Sequence, residues 1–264
     1  MDLQLTGKTA LVTGSTAGIG FAIASALAAE GAEVTINGRS RQRVDDAIAK
    51  IRKAHPKARV SGIDADVSNA AGCEKLAKSL PTVDILVNNA GIFEPKPFAQ
   101  ITDADWDRFF QTNVMSGVRL SRTYFPKMLE RNWGRIVFIS SESGLQIPLE
   151  MIHYGMTKTA QLAISRGLAE ASAGSGVTVN SVLPGPTASE GVETFVADLA
   201  KNQNTTREQF EKEFFKSVRP SSLLKRFATP QEVANLVAFV CSPLSSATNG
   251  AALRVDGGVV RSIA

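Results

Sequence analysis

The sequence predicts an α/β fold in which a single, doubly wound parallel sheet of about seven strands carries helices on both faces. Three observations indicate this class. Short runs rich in valine, isoleucine and leucine alternate with longer helical stretches along the chain. A glycine-rich turn joins the first of these runs to the first helical stretch. The length of 264 residues suits one domain of this architecture.

Seven stretches have the composition of strands that are buried on both faces of a sheet. Most are continuous apolar runs without the alternation of a half-exposed strand. They cover residues 8–14, 33–39, 58–64, 84–90, 134–140, 177–183 and 251–257. Because helices separate them, the connections are predicted to be right-handed crossovers within one parallel sheet.

Residue types that cap helices mark where several helices begin. Thr102 is followed three residues later by Asp105, which is the spacing of a capping box. A second start of this kind lies at 229–232, where a proline occupies the first turn. Helical stretches at 20–31 and 40–54 follow the first and second strands, as a doubly wound sheet requires.

The segment 186–222 interrupts the alternation of strands and helices. It has no strand pattern but carries two apolar groups at helical spacing: Phe195, Val196 and Leu199, then Phe210, Phe214 and Phe215. A long insertion with helices of its own is typical of a substrate lid. The alternative is a surface helical hairpin that packs only for stability. The chain is thus predicted to be one domain over 1–264, with a helical lid insertion at about 186–222.

The composition is that of an ordinary globular protein, with 44% hydrophobic and 20% charged residues. The net charge of +4 is spread along the chain without a dense basic run, so nucleic-acid binding is not expected. Cys73 and Cys241 form no paired motif, and with only two histidines no metal site is predicted. There is no pattern of a secretory signal and no apolar run near the roughly 18 residues of a membrane span. We therefore expect a cytoplasmic protein.

The turn TGSTAGIG at 13–20 indicates a phosphate site. Gly14, Gly18 and Gly20 permit a tight turn and a close approach of the backbone to a pyrophosphate. The helix that follows presents free N–H groups and the positive end of its dipole at the same place. The turn is thus predicted to bind a dinucleotide in a Rossmann-type fold, although any tight strand-to-helix turn can use glycines in this way.

Further motifs follow in a fixed order. NNAG occupies 88–91, Tyr154-Gly-Met-Thr-Lys158 has the pattern YxxxK, and LPG occupies 183–185. Together with TGxxxGIG, these motifs resemble those of the short-chain dehydrogenase/reductase family, and the resemblance covers nearly the whole chain. It implies an enzyme that interconverts a carbonyl and a secondary alcohol by hydride transfer with a nicotinamide cofactor and a small-molecule substrate.

Tyr154 and Lys158 lie one helical turn apart, so their side chains are expected to project from the same face. A free tyrosine has a pKa of about 10. A nearby ammonium is expected to lower that pKa and to suit the phenol to general acid–base catalysis. A buried tyrosine beside a surface lysine is the plainer interpretation of the same spacing.

The resemblance implies roles for four catalytic residues. Tyr154 exchanges the proton of the substrate oxygen, and Ser141 donates a hydrogen bond to that oxygen. Lys158 also holds the nicotinamide ribose, and Asn113 supports a chain of waters. The neighbouring Ser140 is the alternative candidate for the role given to Ser141. The alternative for Asn113 is a polar residue that only kinks its helix.

The resemblance also implies a set of cofactor-binding residues. The set comprises Gly14, Ser15, Thr16, Gly18, Ile19, Gly20, Arg39, Ser40, Asp66, Val67, Asn88, Ala90, Gly91, Tyr154, Lys158, Pro184, Gly185, Thr187 and Ser189. Asp66 is expected to contact the adenine amino group, and Asn88, Ala90 and Gly91 the adenosine ribose. Either Thr187 or Ser189 is expected to contact the carboxamide or the pyrophosphate, because this loop has the sequence PGPTAS.

The end of the second strand indicates which nicotinamide cofactor is used. Family members that use NAD carry an acid where this chain has Gly38, and an acid there repels a 2′-phosphate. Arg39 and Ser40 follow, offering a guanidinium and the start of a helix. NADP is therefore predicted to be preferred, with NAD as the alternative if Arg39 turns to solvent. Arg41 and Arg43 can assist, but neither is required.

Two other functions stay open on the sequence alone. One is a 3-oxoacyl-[acyl-carrier-protein] reductase, against which the long 186–222 segment argues. The other is a non-catalytic dinucleotide-binding sensor, a kind of protein that usually lacks the tyrosine–lysine pair. The resemblance further implies a homotetramer or a homodimer built on paired long helices.

The substrate itself is not specified by the sequence. The expected pocket walls are 93–98, 144–153 and the 186–222 segment, which suggest a moderately apolar substrate. Glu142 is either a solvated turn residue or a polar contact for the substrate. His153 is expected in the substrate pocket or at an interface.

Overall fold

A parallel sheet of seven strands lies at the centre of the computed structural model, which describes residues 1–192 and 205–263. The strands are β1 (Thr9–Val12), β2 (Glu33–Gly38), β3 (Val60–Asp64), β4 (Ile85–Asn88), β5 (Gly134–Ile139), β6 (Val177–Pro184) and β7 (Ala252–Val255). Their order across the sheet is β3-β2-β1-β4-β5-β6-β7. All seven predicted strands are confirmed, within a few residues of the expected bounds.

Helices connect the strands and cover both faces of the sheet. In the described ranges they are α1 (Gly18–Ala29), α2 (Arg41–Ala54), α3 (Ala70–Ser79), α4 (Asp103–Phe109), α5 (Ser116–Glu130), α6 (Ile152–Ala171), α7 (Arg207–Glu213) and α8 (Pro230–Cys241). The predicted capping box of α4 is present, with Thr102 and Asp105 each bonded to the other's backbone N–H. Thr229 and Glu232 form the same arrangement at the start of α8. Both predicted helix starts are therefore confirmed.

The core has one layer on each face of the sheet, because successive strand residues point in opposite directions. In β1, Ala10 and Val12 pack with residues of α1, α2 and α8. Leu11, between them, packs on the other face with residues of α3, α5 and α6. Each fully buried leucine or valine contributes about 1.5–3 kcal/mol to stability.

The chain proceeds from β1 outward to β3 at one edge of the sheet, and then returns to β4 on the other side of β1. The strand order therefore reverses between β1 and β4. In open parallel sheets a crevice forms at such a switch point, outside the carboxyl ends of the strands. The glycine-rich turn follows β1 and the NNAG motif follows β4, so both predicted motifs lie at this crevice.

The predicted lid insertion is described over 186–192 and 205–222. The apolar group Phe210, Phe214 and Phe215 is confirmed on α7 and on the π-helical turn Phe214–Val218 that follows it. The rings of Phe214 and Phe215 lie 5.1 and 5.2 Å from the ring of Phe227. The other predicted group, Phe195, Val196 and Leu199, lies outside the described residues. No helix in the described part of the chain is both long and apolar enough to cross a membrane.

Candidate active site

The glycine-rich turn packs tightly against the loops that follow β4 and β6. Gly14 and Gly18 have φ values of +60° and +58°, a backbone conformation that favours glycine. A Cβ atom on Gly14 would lie 3.1 Å from Ala90 Cα, and one on Gly18 would lie 3.2 Å from Ser189 Cβ. The turn therefore needs glycines both for its conformation and for the approach of these loops.

Ser15 stabilises this turn from inside. Its hydroxyl donates to the carbonyl of Val12 at 2.6 Å and accepts from the backbone N–H of Asn37 at 3.0 Å. These two bonds stabilise the conformation of the loop. Because the Ser15 side chain is buried and already hydrogen-bonded, only the backbone of this residue can contact a ligand. Thr16 and Ile19 are partly exposed in the same turn.

The NNAG motif is divided between the core and the crevice. The Asn88 amide is buried and donates to Ser121 Oγ on α5 at 3.2 Å, so its side chain is directed into the core. Asn89, which the sequence did not single out, donates from Nδ2 to the carbonyls of Thr13 and Gly14 at 2.9 and 3.1 Å. Its adjacency to Asn88 in the NNAG motif was the only signal for this role.

The start of α1 can receive an anion. Its N-cap residue, Ala17, provides no side-chain hydrogen bond, so the first N–H groups of the helix are not capped by a side chain. Free N–H groups and the positive end of the helix dipole favour a phosphate at this position. Ser189 is partly exposed beside Gly18, whereas Thr187 is buried and donates to the Gly185 carbonyl at 2.9 Å. Of the two predicted alternatives, the geometry thus favours Ser189 at the pyrophosphate end.

Any side chain at the carboxyl end of β2 requires Thr16 to move. A Cβ atom on Gly38 would lie 2.5 Å from Thr16 Cγ2, which is closer than real atoms approach. Arg39 is exposed and has no hydrogen bond or ion pair within the described residues. Ser40 caps α2, as predicted, by accepting from the N–H of Arg43.

The neighbouring arginines are already paired. Arg41 contacts Asp45 at 2.7 Å, and Arg43 contacts Glu190 at 3.0 Å. Arg39 is therefore the guanidinium at this corner that can take an anionic partner without breaking an ion pair. Beyond it, Asp66 accepts at Oδ1 from the N–H of Ser68 at 3.0 Å, and Val67 is buried.

Tyr154 and Lys158 share one face of α6, as predicted, and the Lys158 Nζ lies 5.5 Å from the centroid of the tyrosine ring. Lys158 is 4% exposed and donates from Nζ to the carbonyl of Ile139 at 2.9 Å. Gly91 brings the NNAG loop to the same place, since a Cβ atom there would lie 3.6 Å from Lys158 Nζ. The predicted pair thus sits beside the crevice at the end of β5.

The geometry distinguishes Ser141 from Ser140. Ser140 Oγ donates to the carbonyl of Lys158 at 2.9 Å, so its proton is committed to the α6 backbone. Ser141 Oγ accepts from the N–H of Ser143 at 3.1 Å, which leaves its own proton available. Of the two serines, Ser141 is the one whose hydroxyl hydrogen-bonds to the Tyr154 phenol, and this bond favours a lower pKa of the tyrosine.

Burial dominates the ionisation of the pair. It raises the pKa of Tyr154 to about 12, against the opposing effect of Ser141. It also lowers the pKa of Lys158 to about 7. The expectation that the lysine lowers the tyrosine pKa is thus wrong for this arrangement, because the lysine is itself desolvated and donates to Ile139. Tyr154 is a protonated acid at neutral pH.

Asn113 connects the NNAG loop to α6. Its Oδ1 accepts from the N–H of Ile92 at 2.8 Å, and its Nδ2 donates to Thr157 Oγ1 at 3.0 Å. It lies in the π-helical turn Phe110–Met115 between α4 and α5, and this local change in helix geometry carries these contacts.

Gln161 extends this network and was missed by the sequence analysis. It is 2% exposed, accepts from Lys158 Nζ at 3.4 Å, and donates from Nε2 to the carbonyl of Asn113 at 2.5 Å. The amide orientation follows from its partners, since the flipped amide would place an oxygen against the Asn113 carbonyl. The only signal in the sequence was its position three residues after Lys158 on the same helix face.

Glu142 is buried and forms an ion pair that the sequence did not indicate. Its Oε1 accepts from Arg219 Nε at 3.0 Å, and Arg219 Nη1 donates to Glu150 at 3.1 Å. Burial raises the pKa of Glu142, and Arg219 opposes this effect. The alternative of a solvated turn residue is therefore wrong. Arg219 also connects the end of the insertion to the turn that carries Ser141.

His153 is fully buried between α4 and α6. Its ring lies 4.0 Å from that of Phe109 and 6.0 Å from that of Trp106. Burial lowers the pKa of this histidine. It packs in the core against these two aromatic rings, which corrects the expectation of a pocket or interface residue. Within the described residues, no group of histidine, cysteine, aspartate and glutamate has the geometry to hold a metal ion.

Comparisons with known proteins agree on one family. A sequence profile of the short chain dehydrogenases matches residues 8–200. YvaG, an uncharacterized oxidoreductase of Bacillus subtilis, is 52% identical over 263 residues, covering 100% of both chains. The 3-oxoacyl-[acyl-carrier-protein] reductase FabG of Aquifex aeolicus is 33% identical, covering 98% of this chain and 100% of that one. L-sorbose reductase from Gluconobacter frateurii, solved with NADPH and L-sorbose, has a TM-score of 0.93 at 30% identity, covering 100% of both chains.

The seven-stranded parallel sheet, with its site at the switch point, is the fold of a Rossmann-type oxidoreductase. The chain belongs to the short-chain dehydrogenase/reductase family. The family resemblance inferred from the spaced motifs is thereby confirmed, and the protein is an enzyme of this family.

Proposed function

We propose that this enzyme is an NADP-dependent oxidoreductase that interconverts a carbonyl and a secondary alcohol, with Tyr154 as general acid and base. The observation that carries the proposal is the grouping of Tyr154, Ser141 and Lys158, in which the Ser141 proton is not committed to a backbone carbonyl. The full-length likeness to a reductase solved with NADPH supports the choice of cofactor class.

The residues at the crevice fit a dinucleotide. The uncapped N–H groups of α1 and Ser189 would hold the pyrophosphate, and Gly14 and Gly18 allow it to approach the backbone. Arg39 and the start of α2 would hold the 2′-phosphate. When bound, the nicotinamide supplies or accepts a hydride.

The chain's own residues manage the charge on the substrate oxygen. In reduction, Ser141 and Tyr154 donate hydrogen bonds to the carbonyl oxygen, and Tyr154 gives up its proton as negative charge develops there. The high pKa of Tyr154 keeps that proton in place at neutral pH until the oxygen becomes basic. Lys158, with a pKa near 7, can hold or release a proton close to neutral pH behind the tyrosine. Oxidation of an alcohol uses the same steps in reverse.

A 3-oxoacyl-[acyl-carrier-protein] reductase is the second candidate, favoured by the 33% identity to FabG. An acyl-carrier thioester and small ketones would separate the two activities. We also propose that the 186–222 insertion is a lid, that the enzyme assembles as a homotetramer and that it acts in the cytoplasm. The non-catalytic sensor is not favoured, because this chain keeps the tyrosine–lysine pair that such proteins usually lack.

The proposal is tested by following NADPH absorbance with a panel of ketones and aldehydes, and NADP⁺ with secondary alcohols. We expect Tyr154→Phe to lower kcat by at least 100-fold while the dissociation constant of NADPH stays within about threefold. The phenol acts on the substrate oxygen, whereas the glycine-rich turn and Lys158 bind the cofactor. A Tyr154→Phe variant that keeps most of its kcat would contradict the mechanism.

A further inference from the structure

The Glu142 carboxylate has one oxygen that no described protein group satisfies. Glu142 is 3% exposed, and its Oε1 accepts from Arg219 Nε at 3.0 Å. Its Oε2 is buried and has no hydrogen bond of regular geometry among the described residues, although the Ser143 hydroxyl also acts on this carboxylate. Buried polar atoms are nearly always paired in folded proteins, so an unpaired carboxylate oxygen points to a partner that comes from outside the chain.

This oxygen belongs to the substrate end of the site. Glu142 directly follows Ser141 and begins the short 3₁₀ turn Glu142–Gly144, whose N-cap is Ser141. Its charge acts on the Tyr154 phenol, where it adds to the effect of burial in raising the tyrosine pKa. The carboxylate therefore lies close to the place where the substrate oxygen receives its proton.

The local charge indicates the kind of group that would bind. Arg219 contacts two carboxylates, Glu142 at 3.0 Å and the partly exposed Glu150 at 3.1 Å. The charge of Asp256 also acts on Glu142. Two carboxylates on one guanidinium, with the charge of Asp256 also acting on Glu142, leave an excess of negative charge, which repels substrate carboxylates and phosphates and favours a neutral hydrogen-bond donor.

An ion pair with a purely structural role does not require this arrangement. Replacing a buried ion pair by apolar side chains is often neutral or stabilising, so the pair is weak evidence of stabilisation alone. An ion pair with only a structural role would also provide hydrogen bonds to both carboxylate oxygens. Arg219 instead occupies one oxygen and holds the carboxylate in place while the other stays unpaired.

We propose that Glu142, positioned by Arg219, determines substrate specificity by accepting a hydrogen bond from a substrate hydroxyl close to the reacting carbonyl. The substrate class is then a neutral hydroxy carbonyl compound, or the corresponding polyol in the reverse direction. This inference rests on the proposed function of the same site, and it replaces the moderately apolar substrate expected from the sequence.

The test compares 1-hydroxypropan-2-one with butan-2-one, which carries a methyl group in place of the hydroxyl. The ratio of kcat/KM values with NADPH, and the ratio of dissociation constants from ligand-observed NMR titration, are measured for each variant. For the unmodified enzyme we expect a preference of at least 10-fold for the hydroxy ketone. Glu142→Ala and the nearly isosteric Glu142→Gln are expected to lower both ratios by at least fivefold.

Glu150→Gln is the matched control. It weakens the other contact of Arg219 but leaves the Glu142 oxygen in place, so both ratios should stay within twofold of the unmodified values. Equal ratios in the unmodified enzyme and in Glu142→Gln overturn the inference, and so does an unmodified enzyme that prefers butan-2-one. If neither ketone is turned over, the proposed function fails for these substrates, while the ratio of dissociation constants still decides the role of Glu142.

Discussion

At the scale of single residues, the site depends on which polar atoms are already committed. Ser140 and Ser15 use their hydroxyls within the protein, whereas Ser141 keeps its proton available. Arg39 is likewise free where its neighbours Arg41 and Arg43 are paired. Hydrogen-bond partners thus separate ligand-binding candidates from structural residues of the same type.

Arg39→Ala is expected to remove most of a preference for NADPH over NADH. A guanidinium–phosphate contact is worth on the order of 1.5–3 kcal/mol, which corresponds to roughly a 10- to 100-fold difference in affinity. Fluorescence titration of both cofactors measures the two dissociation constants. Arg41→Ala is the control and should retain the preference, because Arg41 is paired with Asp45. Equal constants in the unmodified enzyme would contradict the predicted NADP specificity.

Gln161 is expected to set the pKa of Lys158. Burial lowers the pKa of Lys158 to about 7. The Gln161 oxygen opposes this effect, because it accepts a hydrogen bond from the ammonium and so favours the charged form. Gln161→Leu should lower that pKa further, and Gln161→Glu should raise it. If catalysis needs the ammonium, activity falls as pH rises through this pKa. In Gln161→Leu, this falling limb of the pH–activity profile should move to lower pH.

The same limb should move to higher pH in Gln161→Glu. The pH dependence of kcat for the three proteins measures these shifts. A role limited to packing would reduce activity without moving the limb in opposite directions. Shifts of the same sign in both variants would therefore disprove the electrostatic role.

At the scale of elements, short interruptions and caps place the site residues. The π-helical turn Phe110–Met115 brings Asn113 against the NNAG loop and α6. At the other end of the chain, α8 packs its buried face against α1, the helix that follows the glycine-rich turn. Stability of α8 therefore supports the phosphate site indirectly.

Thr229→Ala is expected to destabilise the protein by about 1 kcal/mol, because it removes the capping hydrogen bond to the N–H of Glu232 at 3.2 Å. Urea unfolding measures the change in the free energy of unfolding. Thr206→Ala removes the equivalent cap of α7, which lies in the insertion, and should change global stability less. A larger loss for Thr206→Ala would show that the insertion belongs to the cooperative core.

At the scale of the whole molecule, the sequence predicted what is local or periodic. The strands were visible because their apolar runs are continuous, and Tyr154 and Lys158 because four residues make one helical turn. Contacts distant in sequence left no such pattern. Arg219 lies 77 positions from Glu142, and Gln161 lies 48 positions from Asn113. The tyrosine pKa was misjudged because desolvation depends on the packing around the ring.

The homotetramer predicted from the family resemblance can be tested on α6. Thr159 and Ala163 are exposed on this helix, and nothing would contact a Cβ atom on Gly167. These small groups allow a second copy to approach closely. Light scattering should give a mass near four times the 28.1 kDa of one chain. Ala163→Arg should lower that mass. A monomer mass for both the unmodified protein and this variant would refute the proposal.

The contact between Gly38 and Thr16 restricts how this enzyme can change its cofactor over evolutionary time. An aspartate at position 38 is the direct route to recognising an unphosphorylated ribose, but its Cβ atom would collide with the Thr16 methyl group. The first mutation on that route therefore disturbs the glycine-rich turn before any new ligand contact is gained. A lineage in which position 16 first becomes smaller accepts the acid without any movement of the turn. The two positions are thus epistatic, and the order of substitutions matters as much as their identity.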